Sequence, residues 1–286
     1  FIDTTVTDFG AGTSDGNVYV SQMSDGEVIL RPTVGAEFSG SSLPAGWAAA
    51  GGTATVANGV LTMDGSTVGP VAAYGPGHSV EAVATFGAGP YQHVGFGVNF
   101  TAGGGDAWAI ISTGGTGTGL LARCWTGSGP FDTMSTPIAG SYLGSPHRYR
   151  VDWNTNSIDY YVDGVRVATH NVTISIPMRP LLSVGSTGVG SLTVDWLHMT
   201  PYPSPGVFLS RIFDARGPAT WQGLSWTSEV PIGTALSMSV RTGDAPGTSD
   251  PSWSAFSTIP NSGGTIGALS RYVQYRATLS TTDPAV

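Results

Sequence analysis

Short runs of alternating apolar and polar residues, each closed by Gly, Pro, Asn or Asp, recur along most of this chain. Such runs predict β-strands joined by tight turns, because successive side chains of a strand point to opposite faces. The clearest is His93–Phe100. Val94, Phe96, Val98 and Phe100 fall on one face, and His93, Gly95, Gly97 and Asn99 on the other. Similar runs occupy Gly59–Met63, Ser79–Phe86, Ala107–Thr113, Gly119–Trp125, His147–Trp153, Ser157–Val162, Val165–His170 and Ser191–Met199. Asp163-Gly164 is the kind of pair that a two-residue hairpin turn favours. No stretch of a dozen residues carries a 3.6-residue apolar period, so the fold class is all-β.

The segment Pro201-Tyr202-Pro203-Ser204-Pro205-Gly206 interrupts this pattern, since closely spaced prolines disfavour both helix and central strand. Four strands are predicted beyond it: Val207–Phe213, Gly223–Ser228, Ala235–Arg241 and Arg271–Leu279. Four strands are few for an independent sandwich. The first 32 residues contain one clear strand, Glu27–Leu30, and cannot build a core alone. Joining the two ends gives a domain of ordinary size, with Glu27–Leu30 expected to pair with a C-terminal strand.

Composition narrows the function classes. The formal net charge is -8, and every basic residue other than His is Arg. A diffuse acidic surface repels nucleic acid and anionic membrane, so neither is expected as a partner. No apolar run approaches the length that spans a bilayer, so membrane insertion is not expected. Cys124 is the sole cysteine and permits no internal disulfide; its alternating surroundings predict a buried thiol. The sequence is read as a fragment of a longer extracellular or cell-surface polypeptide, with other domains of that polypeptide as partners.

Two stretches resemble known families. Pro146–Trp153, Ser157–Gly164 and Leu192–Trp196, with their Val-Asp-Trp and Val-Asp-Gly endings, resemble the concanavalin A-like lectin/glucanase (LamG/jelly-roll) superfamily. Leu209–Ala215, Trp221, Leu224-Ser225-Trp226, Val240–Gly243 and Arg271–Ala277 resemble a β-sandwich module of large bacterial exported proteins. In that module a strand like Gly26–Leu30 comes shortly before the Ser-Arg-Ile-Phe-Asp strand. The resemblances imply a concanavalin A-like jelly-roll sandwich at residues 35–205. It is inserted into a smaller accessory β-sandwich made of 1–34 and 206–286, and the protein is secreted.

The chemistry is sparse. Glucanases of the superfamily carry a Glu-x-Asp-x-x-Glu strand whose carboxylates act as nucleophile and acid. The four Glu here, Glu27, Glu37, Glu81 and Glu229, lie nowhere in that pattern. A lyase would need His, Tyr and Arg together, and Tyr91, His93 and Arg123 are the candidates. A Ser-His-Asp set lacks the Gly-x-Ser-x-Gly frame, at Gly144-Ser145 as elsewhere. The five His are isolated and predict no transition-metal site. No cofactor is required, and a structural calcium would draw on Asp106, Asp152 or Asp195. Tyr149, Trp153, Tyr160 and Trp196 occupy core-facing positions. Trp108 and Trp125 are expected at the surface, where an indole ring stacks on a sugar while Arg, Asn and His bond its hydroxyls. The expected binding set is therefore Tyr91, His93, Asn99, Trp108, Arg123 and Trp125, on the concave face of the jelly roll. Its partner is a polysaccharide or cell-surface glycan, and no catalytic residue is assigned. The main alternatives are a polysaccharide-degrading enzyme and a purely structural adhesion or stalk module.

Overall fold

The computed structural model describes residues 1–22, 25–99, 106–128 and 134–283. Phe100, expected on the core face, lies outside the described residues. The fold is all-β, a jelly-roll sandwich and a second, smaller β-sandwich. The chain separates into two compact units, Thr33–Pro201 and Phe1–Pro32 with the residues from Tyr202 onward.

The Thr33–Pro201 unit has one continuous 13-stranded pairing network that folds back on itself. One half runs Met134–Ile138, Leu120–Trp125, Trp108–Ser112, Gln92–Gly97 and Arg179–Val184. The other half runs Leu192–Met199, His78–Phe86, His147–Trp153, Ile158–Val162 and Val165–His170. The long strand Val60–Pro70 belongs to both. Leu61–Met63 pairs with Leu192–Val194, whereas Thr67-Val68 pairs with Leu182-Ser183. Between these stretches Gly65 adopts φ +64°, and a Cβ there would stand 2.3 Å from Thr187 Oγ1. Only Gly permits both the conformation and the approach, so the strand can turn from one layer into the other.

The alternating pattern explains the core. Val94, Phe96, Ala109, Ile111, Ala122 and Cys124 point inward from one layer, and Tyr149, Val151, Trp153 and Tyr160 from the other. Phe96 and Trp153 meet across the layers with ring centroids 5.5 Å apart. Two large aromatic side chains of this core have their polar atoms satisfied: Trp153 Nε1 donates to the Ile174 carbonyl at 2.9 Å, and the Tyr160 hydroxyl to the Arg123 carbonyl at 2.8 Å. The Cys124 thiol is buried beside His170 Nδ1, 3.3 Å away.

Trp196 is buried as expected, at 5 % exposure, but stands outside the main inward cluster. A register shift between Val194 and Trp196 resets the alternation, so Val194 and Leu197 join the core while Trp196 stacks on His198. His198 Nε2 in turn lies 2.7 Å from the buried Glu37 carboxylate.

In the second unit, Leu269–Thr281 is the central strand, with Thr234–Gly243 on one side and Gly206–Leu209 and Phe213–Thr220 on the other. Thr13-Ser14 pairs with Phe208-Leu209, and Asp15 Oδ2 accepts from the Val207 N–H. Glu27–Leu30 does not pair with a C-terminal strand as expected. It forms a hairpin with Val18–Ser21, and Val18 and Val28 supply the apolar surface that packs with Phe208, Met238 and Ala277. The N-terminal stretch thus contributes to the C-terminal core by packing and by its shortest strand, rather than by the longer one.

Candidate functional site

Cross-strand register brings most of the expected binding residues onto one outward face of the Thr33–Pro201 unit. His93 pairs with Ser112, Gly95 with Ile110 and Gly97 with Trp108. On the next strand Ile110 stands opposite Arg123, and Trp108 opposite Trp125. Arg179 and Leu181 continue these rows on the far side of Gly97 and Gly95. The face therefore carries a row Arg179–Gly97–Trp108–Trp125, a row Leu181–Gly95–Ile110–Arg123, and a row with Ser183, His93 and Ser112.

The Arg123 guanidinium lies over the Trp108 ring, 5.2 Å from its centroid, and its Nη1 donates to Ser112 Oγ at 3.4 Å. Cation and indole hold each other in position. Trp108 remains half-buried. Trp125 does not: only 8 % of its surface is exposed, against the expectation of an accessible ring. Trp125 stands directly opposite Trp108 in the register.

His93 is partly buried, and its Nδ1 is enclosed with no hydrogen-bond partner. Burial, followed by the positive charge of Arg123, pushes its pKa down to about 3. The imidazole is neutral throughout the physiological range and is a weak base. Asn99 Nδ2 bonds Asp106 Oδ2 at the strand end, and Asp106 is the single carboxylate among the described residues of this face. Tyr91 sits at the entrance to the strand with φ +60° and 46 % exposure, anchored by its N–H to the Gly114 carbonyl.

Two glycines in the middle of a strand raise the expectation that something approaches the backbone closely. The neighbours that do so belong to the protein itself. A Cβ on Gly95 would stand 2.2 Å from the Ala109 carbonyl oxygen, and one on Gly97 2.7 Å from Leu181 Cδ1. Sequence reasoning also missed Arg179 and Leu181. Their strand, Arg179–Val184, carries an apolar Leu181 on its outward side and a Pro180 that argues against a central strand, so its alternation is masked.

The three Asp considered for calcium have separate surroundings. Asp106 bonds Asn99, Asp152 is held by both ends of the Arg150 fork, and burial raises the pKa of Asp195. No group of three or more His, Cys, Asp or Glu suited to a metal occurs among the described residues. Elsewhere, Ser145 Oγ, His147 Nε2, His147 Nδ1 and Asp163 Oδ2 form a hydrogen-bonded line at 3.1 and 2.8 Å. Ser145 stands outside any nucleophile frame in the sequence. Asp163 also accepts the Arg148 N–H at 3.0 Å, and its side chain is half exposed. The line ties the 163–164 hairpin turn to the neighbouring strand.

No family model matches this chain, and no curated protein matches it. Solved structures do align. A pseudo β-1,3-glucanase and immunostimulatory antigen of Mycobacterium tuberculosis matches 59 % of this chain and 98 % of its own, at 16 % identity and TM-score 0.47. A lichenase from a mouse hindgut metagenome matches 58 % and 97 %, at 15 % identity and TM-score 0.45. A β-glucanase of Bacillus licheniformis matches 58 % and 96 %, at 21 % identity and TM-score 0.44. At such low identity none of the three assigns an activity to this chain.

Proposed function

We propose that the Thr33–Pro201 unit binds a polysaccharide on its His93–Trp108–Arg123 face and does not cleave it. The observation that carries this reading is the half-buried Trp108 with Arg123 laid over it, beside Ser112 and His93 on one face. A pyranose offers C–H groups to an indole ring and hydroxyls to donors at its edge, and this face supplies both.

Two chemical arguments support binding over turnover. Hydrolysis of a glycosidic bond uses a pair of carboxyl groups across the bond, and the described residues of this face carry Asp106 alone. Lyase chemistry needs a base whose pKa lies near the working pH, and His93 at about 3 lies far below it. A polysaccharide ligand puts the protein outside the cell, where such polymers are met, as part of an exported polypeptide.

The test is a glycan array run with a reducing-end assay on the same polysaccharides. Retained glycan without released reducing ends is expected, with binding reduced about tenfold in Trp108→Ala. Reducing ends released from laminarin or lichenan above an enzyme-free blank would overturn the non-catalytic reading. Unchanged affinity in a folded Trp108→Ala would overturn the site.

A further inference from the structure

The second unit carries a stack of arginines and aromatic rings on the outer face of Thr234–Gly243 and Leu269–Thr281. Register sets Ser239 opposite Arg276, Arg241 opposite Gln274 and Gly243 opposite Tyr272. The 244–256 segment folds back over them. Trp253 rests on Gly243, where a Cβ would stand 2.5 Å from the ring, and stacks on Tyr272 at 6.5 Å. The Arg241 guanidinium lies over Trp253 and over Phe256, and that of Arg276 over Phe256, 4.4 Å from its centroid.

The chain is acidic, and Arg148, Arg150, Arg166, Arg211 and Arg271 each meet a carboxylate. Arg241 and Arg276 do not: among the described residues their polar partners are the Gln274 amide oxygen and the Ser239 hydroxyl. The Gln274 amide cannot turn away, because its Nε2 donates to the Ser210 carbonyl at 2.6 Å. Arg241 commits Nε and Nη2 to that amide and Arg276 commits Nε to Ser239, so most of their N–H donors remain available. Two like charges side by side cost free energy. Burial, and after it the charge of Arg276, already lowers the pKa of Arg241.

We infer that Arg241 and Arg276 form an oxyanion site that takes a carboxylate or sulfate group of an acidic sugar. Stacking on Phe256 and Trp253 fixes both guanidinium planes before a ligand arrives, so little side-chain freedom is lost on binding. An oxyanion accepts charge-assisted N–H bonds from both forks and relieves their mutual repulsion. The net negative charge of the chain disfavours a dense polyanion. A single uronate carboxylate or a single sulfate ester supplies the required chemistry.

The test titrates the full chain with sodium glucuronate, with sodium sulfate and with glucose, at ionic strength held constant with sodium chloride. Two readouts are followed: the thermal midpoint and the Nε–H NMR signals of the arginines. Glucuronate or sulfate is expected to shift the Arg241 and Arg276 signals and raise the midpoint, and glucose to do neither. Arg276→Gln should weaken the response about tenfold, with Arg276→Lys between it and the parent. A response to glucuronate alone identifies a uronate ligand; a response to sulfate alone, carried by the NMR signals, identifies a sulfate ester. Anion binding that is equal in the parent and in Arg276→Gln overturns the site, as does the absence of any shift at both arginines. Should Arg276→Gln fail to fold, the Nε–H signals of the unaltered chain decide the matter alone.

Discussion

The two outward faces of the Thr33–Pro201 unit use their polar residues differently. On the layer containing His147–Trp153, charges are paired off: Arg148 with Glu81 at 2.7 Å, Arg150 with Asp152 at 2.6 Å, and Arg166 with Asp159 at 3.8 Å. On the layer containing His93, a guanidinium lies over an indole, an imidazole is held neutral, and one carboxylate sits at the strand end. Both faces belong to one sandwich and share one core. The first pairs its charges as arginine–carboxylate bridges, and the second sets a guanidinium against an indole. Composition along a strand does not distinguish them, since each alternates polar with apolar residues.

The sharpest way to break this contrast is to alter the backbone fit of the His93 face. Gly95→Val should destabilise the unit by about 3 kcal/mol or more, because its Cβ would collide with the Ala109 carbonyl rather than with a movable side chain. A urea unfolding curve with an unchanged midpoint would falsify that account of the glycine. The next effect is electrostatic. The folded pKa of His93 lies near 3 and the unfolded value near 6.5, so the unfolded chain binds an extra proton between them. The stabilisation is complete above about pH 6.5 and declines as pH falls, by up to about 2 kcal/mol at pH 5. Urea midpoints at the two pH values check this, and the decline should be smaller by that amount in His93→Gln. Trp108→Ala, the binding variant, should leave the ion-paired face untouched and lower affinity by about 1.4 kcal/mol. Smallest is Arg166→Ala. Its guanidinium lies 3.8 Å from Asp159 at the surface, and its loss should change stability by less than about 0.5 kcal/mol, with no change in glycan retention.

Most strands are legible because half-buried strands print their alternation in the sequence. His93–Gly97, Leu120–Trp125 and His147–Trp153 appear where their patterns place them, with Val94, Phe96, Tyr149 and Trp153 inward. Three kinds of information are not legible. The Arg179–Val184 strand puts Leu181 among its outward residues and Pro180 in its interior, so its alternation is masked. Trp196 lies past a bulge, and a single extra residue inverts every expectation after it. Trp125 has the parity of an outward residue, but parity says which way a side chain points and not what covers it. For the same reason the spacing of Arg241, Trp253, Phe256 and Arg276 shows no pattern. Their stack is assembled by a loop returning over two strands.

In the second unit, the bond from the Val207 N–H to Asp15 Oδ2 joins residues 192 positions apart. On a ribosome adding about 10 residues each second, the N-terminal stretch waits about 20 s for its partner strand. The residues between have time to condense on their own, beginning with hairpins such as His147–Trp153 with Ile158–Val162. Throughout that interval Val18, Val28 and Phe9 lack the Phe208 surface they finally cover. Nascent chains halted before residue 206 should therefore be cut by protease within the first 32 residues, while the stretch after them resists.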